Sequence, residues 1–218
     1  MVNERSPSPP PDTTRERLLS EATRLFAERG PAGTSIRELA QAAGANVAAV
    51  HYHFGGKEGL YAAVVERAFS FVPQLRDVLA AQLDAARSAG TREAAAQAIR
   101  TCTHEFMRHL FRKGHSTWAA LFLQREAMEP TETVTRAIDG LIGPVWDTCI
   151  ALLALLRPDL KKRELRLIVS SIVGQCLFYQ DHRALVLHVF GPSALDDVFV
   201  SRAADHIASF SLAALECR

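Results

Sequence analysis

The chain has little cysteine and no excess of charge of one sign. Its 218 residues include 4 cysteines, which lie far apart without the paired spacing of zinc sites or disulfide frameworks. We interpret Cys102, Cys149, Cys176 and Cys217 as small apolar thiols inside helices rather than redox sensors. The net charge of +1 leaves no basic stripe of the kind that drives strong non-specific binding to nucleic acid. Composition alone therefore does not indicate a DNA-binding protein.

The sequence also lacks a charge-free apolar stretch long enough to span a membrane. The charge-free stretch from Leu167 to Gln180 is shorter than the roughly 18 to 20 residues that a membrane-spanning helix needs. The segment from Met1 to Asp12 lacks the apolar core of a signal peptide. With 48% apolar and 22% charged residues, the chain can bury a full core. We therefore expect a globular cytoplasmic protein with no membrane partner.

Enzyme signatures are absent from the sequence. It has no His-Glu-x-x-His motif, no phosphate-binding glycine loop and no evident pairing of a nucleophile with a base. His51 and His53 are two residues apart on a predicted helix, so they face different directions and cannot jointly bind a metal. We predict no catalytic residues, no cofactor and no metal site. A helical enzyme and a protein-binding adaptor are the alternatives from other classes.

Helical periodicity dominates what is present. From Thr13 onward, apolar residues recur at spacings of three and four, and no sustained strand alternation bounded by hairpin turns is found. Residues 1–12, with the run Pro9-Pro10-Pro11, are expected to form a disordered arm. The remainder is predicted to be all-α, with short helices up to residue 58 and longer ones over 59–218.

Two of the short helices, near Ser35 to Ala43 and Asn46 to His53, carry a spacing typical of a helix-turn-helix. Such a pair needs a small residue at the contact, a turn that accepts a left-handed backbone and an apolar anchor on the second helix. Ala40, Gly44 and Val50 supply these in order. The spacing by itself would match many unrelated helices, so it favours this interpretation without deciding it.

The residues that follow are more specific. The string Val50-His51-Tyr52-His53-Phe54-Gly55-Gly56-Lys57-Glu58-Gly59-Leu60 resembles the end of the recognition helix and the start of the next helix in the TetR family of regulators. The similarity covers about Thr13 to Leu60. It implies a three-helix DNA-binding domain over 13–58 that binds a double-stranded operator. It also implies a larger C-terminal helical domain over 59–218 that binds a small-molecule effector and forms a homodimer. A protein-binding adaptor would not need this set of helix-turn-helix residues.

Candidate DNA contacts follow from the resemblance and from side-chain chemistry. A hydroxyl at Thr34 or Ser35 can cap a helix whose N–H groups bind phosphate, and Arg37 can reach a base edge or a phosphate. Lys57 can pair with a phosphate. The small, mostly apolar tip of the recognition helix suits thymine methyl groups, whereas family members commonly offer a polar residue there. The full set is Thr34, Ser35, Arg37, Asn46, Val47, Ala48, Ala49, His51, Tyr52 and Lys57.

A second resemblance lies in the larger domain. Gln124-Arg125-Glu126, Glu129-Pro130-Thr131 and Ile142-Gly143-Pro144 resemble the sensor domain of the CecR-like branch of TetR regulators. Pro144 in a helix interior is predicted to free carbonyl groups and kink the helix. A hydrophobic effector needs an apolar cavity with a few polar groups, although core packing is the alternative for each aromatic residue. The candidates are His104, Phe106, Met107, Phe111, Trp118, Phe122, Arg125, Glu126, Trp146, Gln175, Phe178 and Tyr179.

Dimerisation is expected because one helix-turn-helix covers too few base pairs. Apolar residues recur at spacings of three and four in the helix from Thr131 and in the last helix. Periodicity does not distinguish a monomer core from an interface. The candidate interface residues are Ile138, Leu141, Val145, Leu152, Phe199, Ala203, Ile207, Phe210 and Ala214. A repressor, which needs only to block a promoter, is the simplest expectation, and an activator of the same fold is the alternative.

Overall fold

The computed structural model describes residues 13–112 and 117–216, and within these ranges every regular element is helical. The predicted arm 1–12 and Cys217 lie outside the described residues. The helices are α1 (Thr14–Arg29), α2 (Ile36–Ala42), α3 (Val47–Phe54), α4 (Lys57–Ala68), α5 (Val72–Ala89), α6 (Arg92–Leu110), α7 (Thr117–Met128), α8 (Glu132–Ala137), α9 (Gly143–Leu156), α10 (Lys162–Asp181), α11 (Arg183–Phe190) and α12 (Asp197–Glu216), with a π-helical turn (Ile138–Ile142) between α8 and α9. The all-α fold predicted from the sequence is confirmed.

The described chain forms two compact units. The first unit contains residues 13–68 together with 117–133, and the second contains 69–112 together with 134–216. This division differs from the sequence-based boundary at residue 58, because α4 and α7 belong to the first unit. Both helices pack on α1, which the sequence pattern could not reveal for a segment so distant along the chain.

Aromatic packing and a polar cluster hold α7 in the first unit. The Tyr61 ring lies edge-on to Phe26 and to Phe122, with ring centroids 5.2 and 5.8 Å apart, respectively. The Tyr61 hydroxyl shares a 2.8 Å hydrogen bond with Thr131 Oγ1, and the Thr131 N–H donates to Glu126 Oε2 at 3.1 Å. Burial, together with the Glu126 carboxylate, raises the pKa of Tyr61 above its ordinary range. The buried Glu126 is therefore hydrogen-bonded and helps to fix the end of α7.

Two apolar clusters form the core of the second unit. The larger joins α5, α6, α9, α10 and the end of α12, and the smaller joins α6, α10 and α12. Arg157, just after α9, donates through Nη1 to the Leu215 carbonyl at 2.9 Å and also pairs with Asp159 at 2.6 Å. This pairing lowers the pKa of Asp159 to about 2. One arginine thus joins the end of α9 to the end of α12.

Pro144 coincides with a change in helix type. Where a kink is predicted, the structure has the π-helical turn, in which the Gly143 N–H donates to the Ile138 carbonyl. Pro144 has no N–H to offer to the preceding turn, so an α-helical pattern is interrupted at this point. The helical run Glu132–Leu156, with a mean hydropathy of 1.6, is long and apolar enough to cross a membrane by length and composition. This is weak evidence, because core helices pass the same test and α9 packs on α5, α6 and α10.

Candidate nucleic-acid interface

Helices α2 and α3 pack as the sequence predicts for a helix-turn-helix. Ala40 and Val50 are buried at the contact. Gly44 has a φ of +60°, in the left-handed region that glycine adopts most easily. Because the contact residues are small or branched and apolar, α3 is fixed against α2 and its remaining side chains are presented outward.

The start of α3 is capped by its own asparagine. Asn46 Oδ1 accepts the Ala49 N–H at 2.8 Å, which satisfies one of the free donors of the first turn. Ala48, His51 and Tyr52 are exposed, with Tyr52 85% accessible, and Val47 and Ala49 are half-buried. The outward face of α3 therefore combines a small apolar tip with an imidazole and a phenol further along.

The start of α2 is already occupied by a carboxylate. The Glu38 N–H donates to Ser35 Oγ at 3.2 Å, and the Ser35 N–H donates to Glu38 Oε2 at 2.8 Å, which together form a capping box. The Ser35 N–H is the main cause that lowers the pKa of Glu38, with smaller contributions from Arg29 and Lys57. A phosphate approaching this N–H would have to displace the carboxylate. Arg37, in the same turn, is exposed.

The prediction that Thr34 contacts DNA is wrong. Its side chain is buried, and its hydroxyl donates to the Gly30 carbonyl at 2.9 Å. Thr34 stabilises the loop between α1 and α2 instead of facing outward. This partner lies at the end of α1, so the capping pattern around Ser35 gave no indication of it.

The junction between α3 and α4 depends on three glycines. Gly55 and Gly56 have φ values of +76° and +127°, respectively. Gly59 lies in the first turn of α4, where a Cβ atom would overlap the Phe54 carbonyl oxygen. Lys57, the first residue of α4, is half-buried. Sequence reasoning gave Gly59 no role, although a glycine inside a helix start is itself an indication of close backbone approach.

Phe54, at the end of α3, is packed rather than presented outward. The Arg15 guanidinium lies 5.2 Å from the centre of the Phe54 ring, a cation–π contact between the start of α1 and the end of α3. His53 makes edge-on ring contacts with Tyr52 and Phe54. Arg15 is therefore a supporting residue that the sequence motif did not identify.

The candidate effector residues on α7 lie in the first unit. Phe122 and Glu126 are buried in the packing described above, so they hold α7 on its unit. Trp118 and Arg125 are exposed, and the Arg125 guanidinium lies 2.9 Å from where a Cβ atom on Gly30 would stand. Phe122 and Glu126 thus have a structural role in this unit, and their assignment to an effector pocket stays a prediction.

The other effector candidates lie in the second unit but not at one place. Phe106, Met107, Phe111 and Tyr179 belong to the smaller apolar cluster, where Met107 is fully buried. Of the remaining four, Phe178 is exposed, and its ring contacts Tyr179 of this cluster and stacks on His182. Trp146 packs on the larger cluster, Gln175 donates to the Ser171 carbonyl, and His104 lies 2.8 Å from Asp205 Oδ1.

Several predicted interface residues are buried within their own unit. Four of them, Leu152, Ile207, Ala203 and Val145, are buried in the second unit and leave little side-chain surface for a partner. Ile138, Phe210 and Ala214 are exposed, and Leu141 and Phe199 are half-buried. Among the exposed apolar residues that the sequence did not assign to the interface are Leu167, Phe178, Leu185, Val189, Phe190 and Val198.

The fold and the outward face of α3 define a helix-turn-helix DNA-binding regulator. The family model for bacterial regulatory proteins of the TetR family matches residues 18–64, and the model for the C-terminal domain of the HTH-type transcriptional dual regulator CecR matches residues 95–215. The chain belongs to the TetR family of transcriptional regulators, with a C-terminal domain of the CecR type. It is a DNA-binding transcription regulator and not an enzyme.

Individual relatives agree with this assignment. The dual regulator CecR of Shigella flexneri is 27% identical over 194 residues, covering 85% of this chain and 84% of that protein. The regulator YttP of Bacillus subtilis is 44% identical over 48 residues, so the match spans only 22% of this chain and 23% of that protein. The SmeT–triclosan complex has a TM-score of 0.58 at 21% identity and covers 92% of this chain and 90% of that chain, a likeness in fold.

Proposed function

We propose that the protein is a homodimeric repressor that binds a palindromic operator and releases it when a small, mostly hydrophobic effector binds. The exposed face of α3, with Ala48, His51 and Tyr52 outward and Asn46 used as the cap, is the observation that carries the proposal. Recognition helices of this kind place their N-terminal residues against base edges in the major groove. A regulator that binds operators acts where the bacterial chromosome is, in the cytoplasm.

Selection of oligonucleotides bound by the purified protein tests this proposal. We expect an inverted repeat whose half-sites are centred about one DNA turn apart, roughly 10 base pairs. A promoter carrying that repeat should lose output when the protein is expressed, and apolar compounds that bind the protein should restore it. A selected sequence without two-fold symmetry, or operator affinity that no compound in a broad apolar screen changes, would contradict the proposal.

Substitutions on the DNA-binding surface should distinguish residues that contact phosphates from residues that select the base sequence. Lys57→Ala is expected to weaken binding to all sequences alike and to reduce the salt dependence by about one phosphate contact. His51→Ala should instead change which sequence is preferred. Quantitative gel shifts over a salt series, with operator and scrambled DNA, measure both effects.

The matched control is Arg76→Ala on α5. Arg76 is an exposed arginine paired with Asp77, so this substitution should leave DNA affinity unchanged. If the Lys57→Ala protein bound DNA with unaltered affinity, Lys57 would not be a DNA contact.

The proposed dimer surface consists of the outward faces of α10 and α12. Leu167 and Phe178 on α10 and Val198 and Phe210 on α12 are large apolar residues, each at least 41% exposed. Their helices bury the opposite faces in the core of the second unit. The described ring contacts of Phe178 and Phe210 are with residues close to them in sequence, Tyr179 and His182 for Phe178 and His206 for Phe210. Two such helices from each of two chains can form a four-helix interface. A second copy of this chain is the occupant that the operator symmetry requires.

The proposed effector site lies at the smaller apolar cluster of the second unit. Phe106, Phe111, Tyr179 and Phe199 are half-buried there around the fully buried Met107. The Arg183 guanidinium lies 5.6 Å from the centre of the Phe111 ring and supplies a cation at the edge. This combination of aromatic surface and a fixed polar group suits a small hydrophobic molecule. The SmeT structure, which contains triclosan, supports the chemical class.

Activation is the second candidate function, and one observation favours it. The relative that aligns along most of this chain, CecR of Shigella flexneri, is described as a dual regulator. In the promoter experiment above, an increase in output with the operator placed upstream of the promoter would support activation. A decrease at every placement would support repression alone.

A further inference from the structure

Two cysteines on neighbouring helices of the second unit have no part in the proposed function. Cys102 lies on α6 and Cys149 on α9, and both side chains pack against the same larger apolar cluster. Both are free thiols in partly exposed residues, whereas Cys176 on α10 is fully buried. The two residues are therefore closer to solvent than Cys176, although their thiol groups are largely buried.

The register of the two helices places the two cysteines at a similar level. Arg92, at the start of α6, donates to the Leu156 carbonyl at the end of α9 over 2.8 Å, so the start of one helix lies beside the end of the other. At 1.5 Å per residue, Cys102 is about 15 Å along α6 and Cys149 is about 10 Å back along α9. The two cysteines therefore differ by about 5 Å in position along the helix direction. The charge of Cys149 also raises the pKa of Cys102, as expected for neighbouring thiols.

The surroundings restrict the chemistry of this pair. Burial raises the pKa of both thiols to about 12, so neither is a reactive thiolate toward peroxides. The described residues contain no group of three or more His, Cys, Asp or Glu side chains able to hold a metal ion, so a four-coordinate zinc site is not formed here. A pair of thiols that is not part of such a larger group suits a soft ion that needs only two sulfur ligands.

We propose that Cys102 and Cys149 form a two-thiol binding site for a soft divalent cation of the Hg(II) class. Binding replaces two S–H bonds by two metal–sulfur bonds and releases two protons to solvent. The resulting complex, a divalent cation with two thiolates, is neutral, which suits an apolar cluster better than a net charge does. The bound ion joins α6 to α9.

The test uses the full chain carrying Cys217→Ser, so that the thiols of the described residues account for binding. The protein is given one equivalent of Hg(II) in excess glutathione, a monothiol that outcompetes single cysteines, and is then desalted. Native mass spectrometry and thiolate-to-metal ultraviolet absorbance measure retention. We expect one ion per chain. Adding Cys102→Ser or Cys149→Ser should lower retention at least tenfold, and adding Cys176→Ser should leave it unchanged.

Three results would overturn the proposal: no retained ion against glutathione, equal retention in the Cys149→Ser protein, or an ion that bridges two chains. Operator binding of each variant is measured in parallel without metal to show that the protein is folded. Because metal retention does not require DNA binding, failure of the two-thiol site and failure of the proposed repressor are distinguishable.

Discussion

Replacing Phe210 by glutamate is expected to split the proposed homodimer and to lower operator affinity by roughly a hundredfold or more, since two linked half-sites gain about that much over one. Phe210 is 60% exposed on α12, and its only described ring contact is with His206 on the same helix. A carboxylate is tolerated there in a monomer, but an apolar interface would bury it without a partner. Sedimentation measures the mass, and gel shifts measure operator affinity.

The matched control is Met128→Glu. Met128 is 80% exposed at the end of α7 in the first unit, so the same carboxylate is introduced at another exposed apolar residue. This variant should remain dimeric. A dimeric Phe210→Glu protein, or loss of the dimer in both variants, would place the interface elsewhere.

Replacing Gly59 by alanine is expected to lower the free energy of unfolding by about 2 to 3 kcal/mol, in the range of overpacked sites. It should also abolish specific operator binding. The added methyl group would overlap the Phe54 carbonyl, which is backbone and cannot rotate away. Relief requires α4 to shift relative to the end of α3, which moves Lys57 and the recognition helix together. Urea unfolding and gel shifts measure the two effects.

Gly140→Ala provides the same chemical change without the overlap. Nothing lies within 4 Å of a Cβ atom on Gly140, in the π-helical turn. This variant should keep wild-type operator affinity and nearly wild-type stability. A Gly59→Ala protein with normal stability would show that the α3–α4 junction yields more easily than the structure indicates.

Local features of the DNA-binding surface were predictable because their causes lie within a few residues. Asn46 caps α3 through an N–H three residues away, and Gly44 makes the turn because of its own backbone. Thr34 was predicted wrongly even though its partner, the Gly30 carbonyl, is only four residues away. A hydroxyl before a helix can either cap that helix or donate to the preceding helix, and the sequence pattern does not distinguish the two.

For the long helices, the sequence did not predict which apolar residues are buried, because burial depends on contacts with distant parts of the chain. The apolar repeat of α12 contains both Ile207 and Phe210, yet the first is buried in the core and the second is exposed. Spacing places both on nearby faces, and only the position of α6 and α10 decides which face is covered. The position of α7 in the first unit likewise depends on contacts with residues about 60 positions away, such as Tyr61 with Phe122.

The return of α7 to the first unit makes that unit discontinuous in sequence. A fragment cut after Ala68 would keep every residue of the helix-turn-helix but lose Phe122, Glu126 and Thr131. Tyr61 would keep its ring contact with Phe26 but lose the one with Phe122 and its hydroxyl partner Thr131. Exchange of sensor domains between regulators, whether by recombination or by protein engineering, therefore cannot use a single crossover at the end of α4. A functional chimera has to carry α7 from the same parent as α1 and α4.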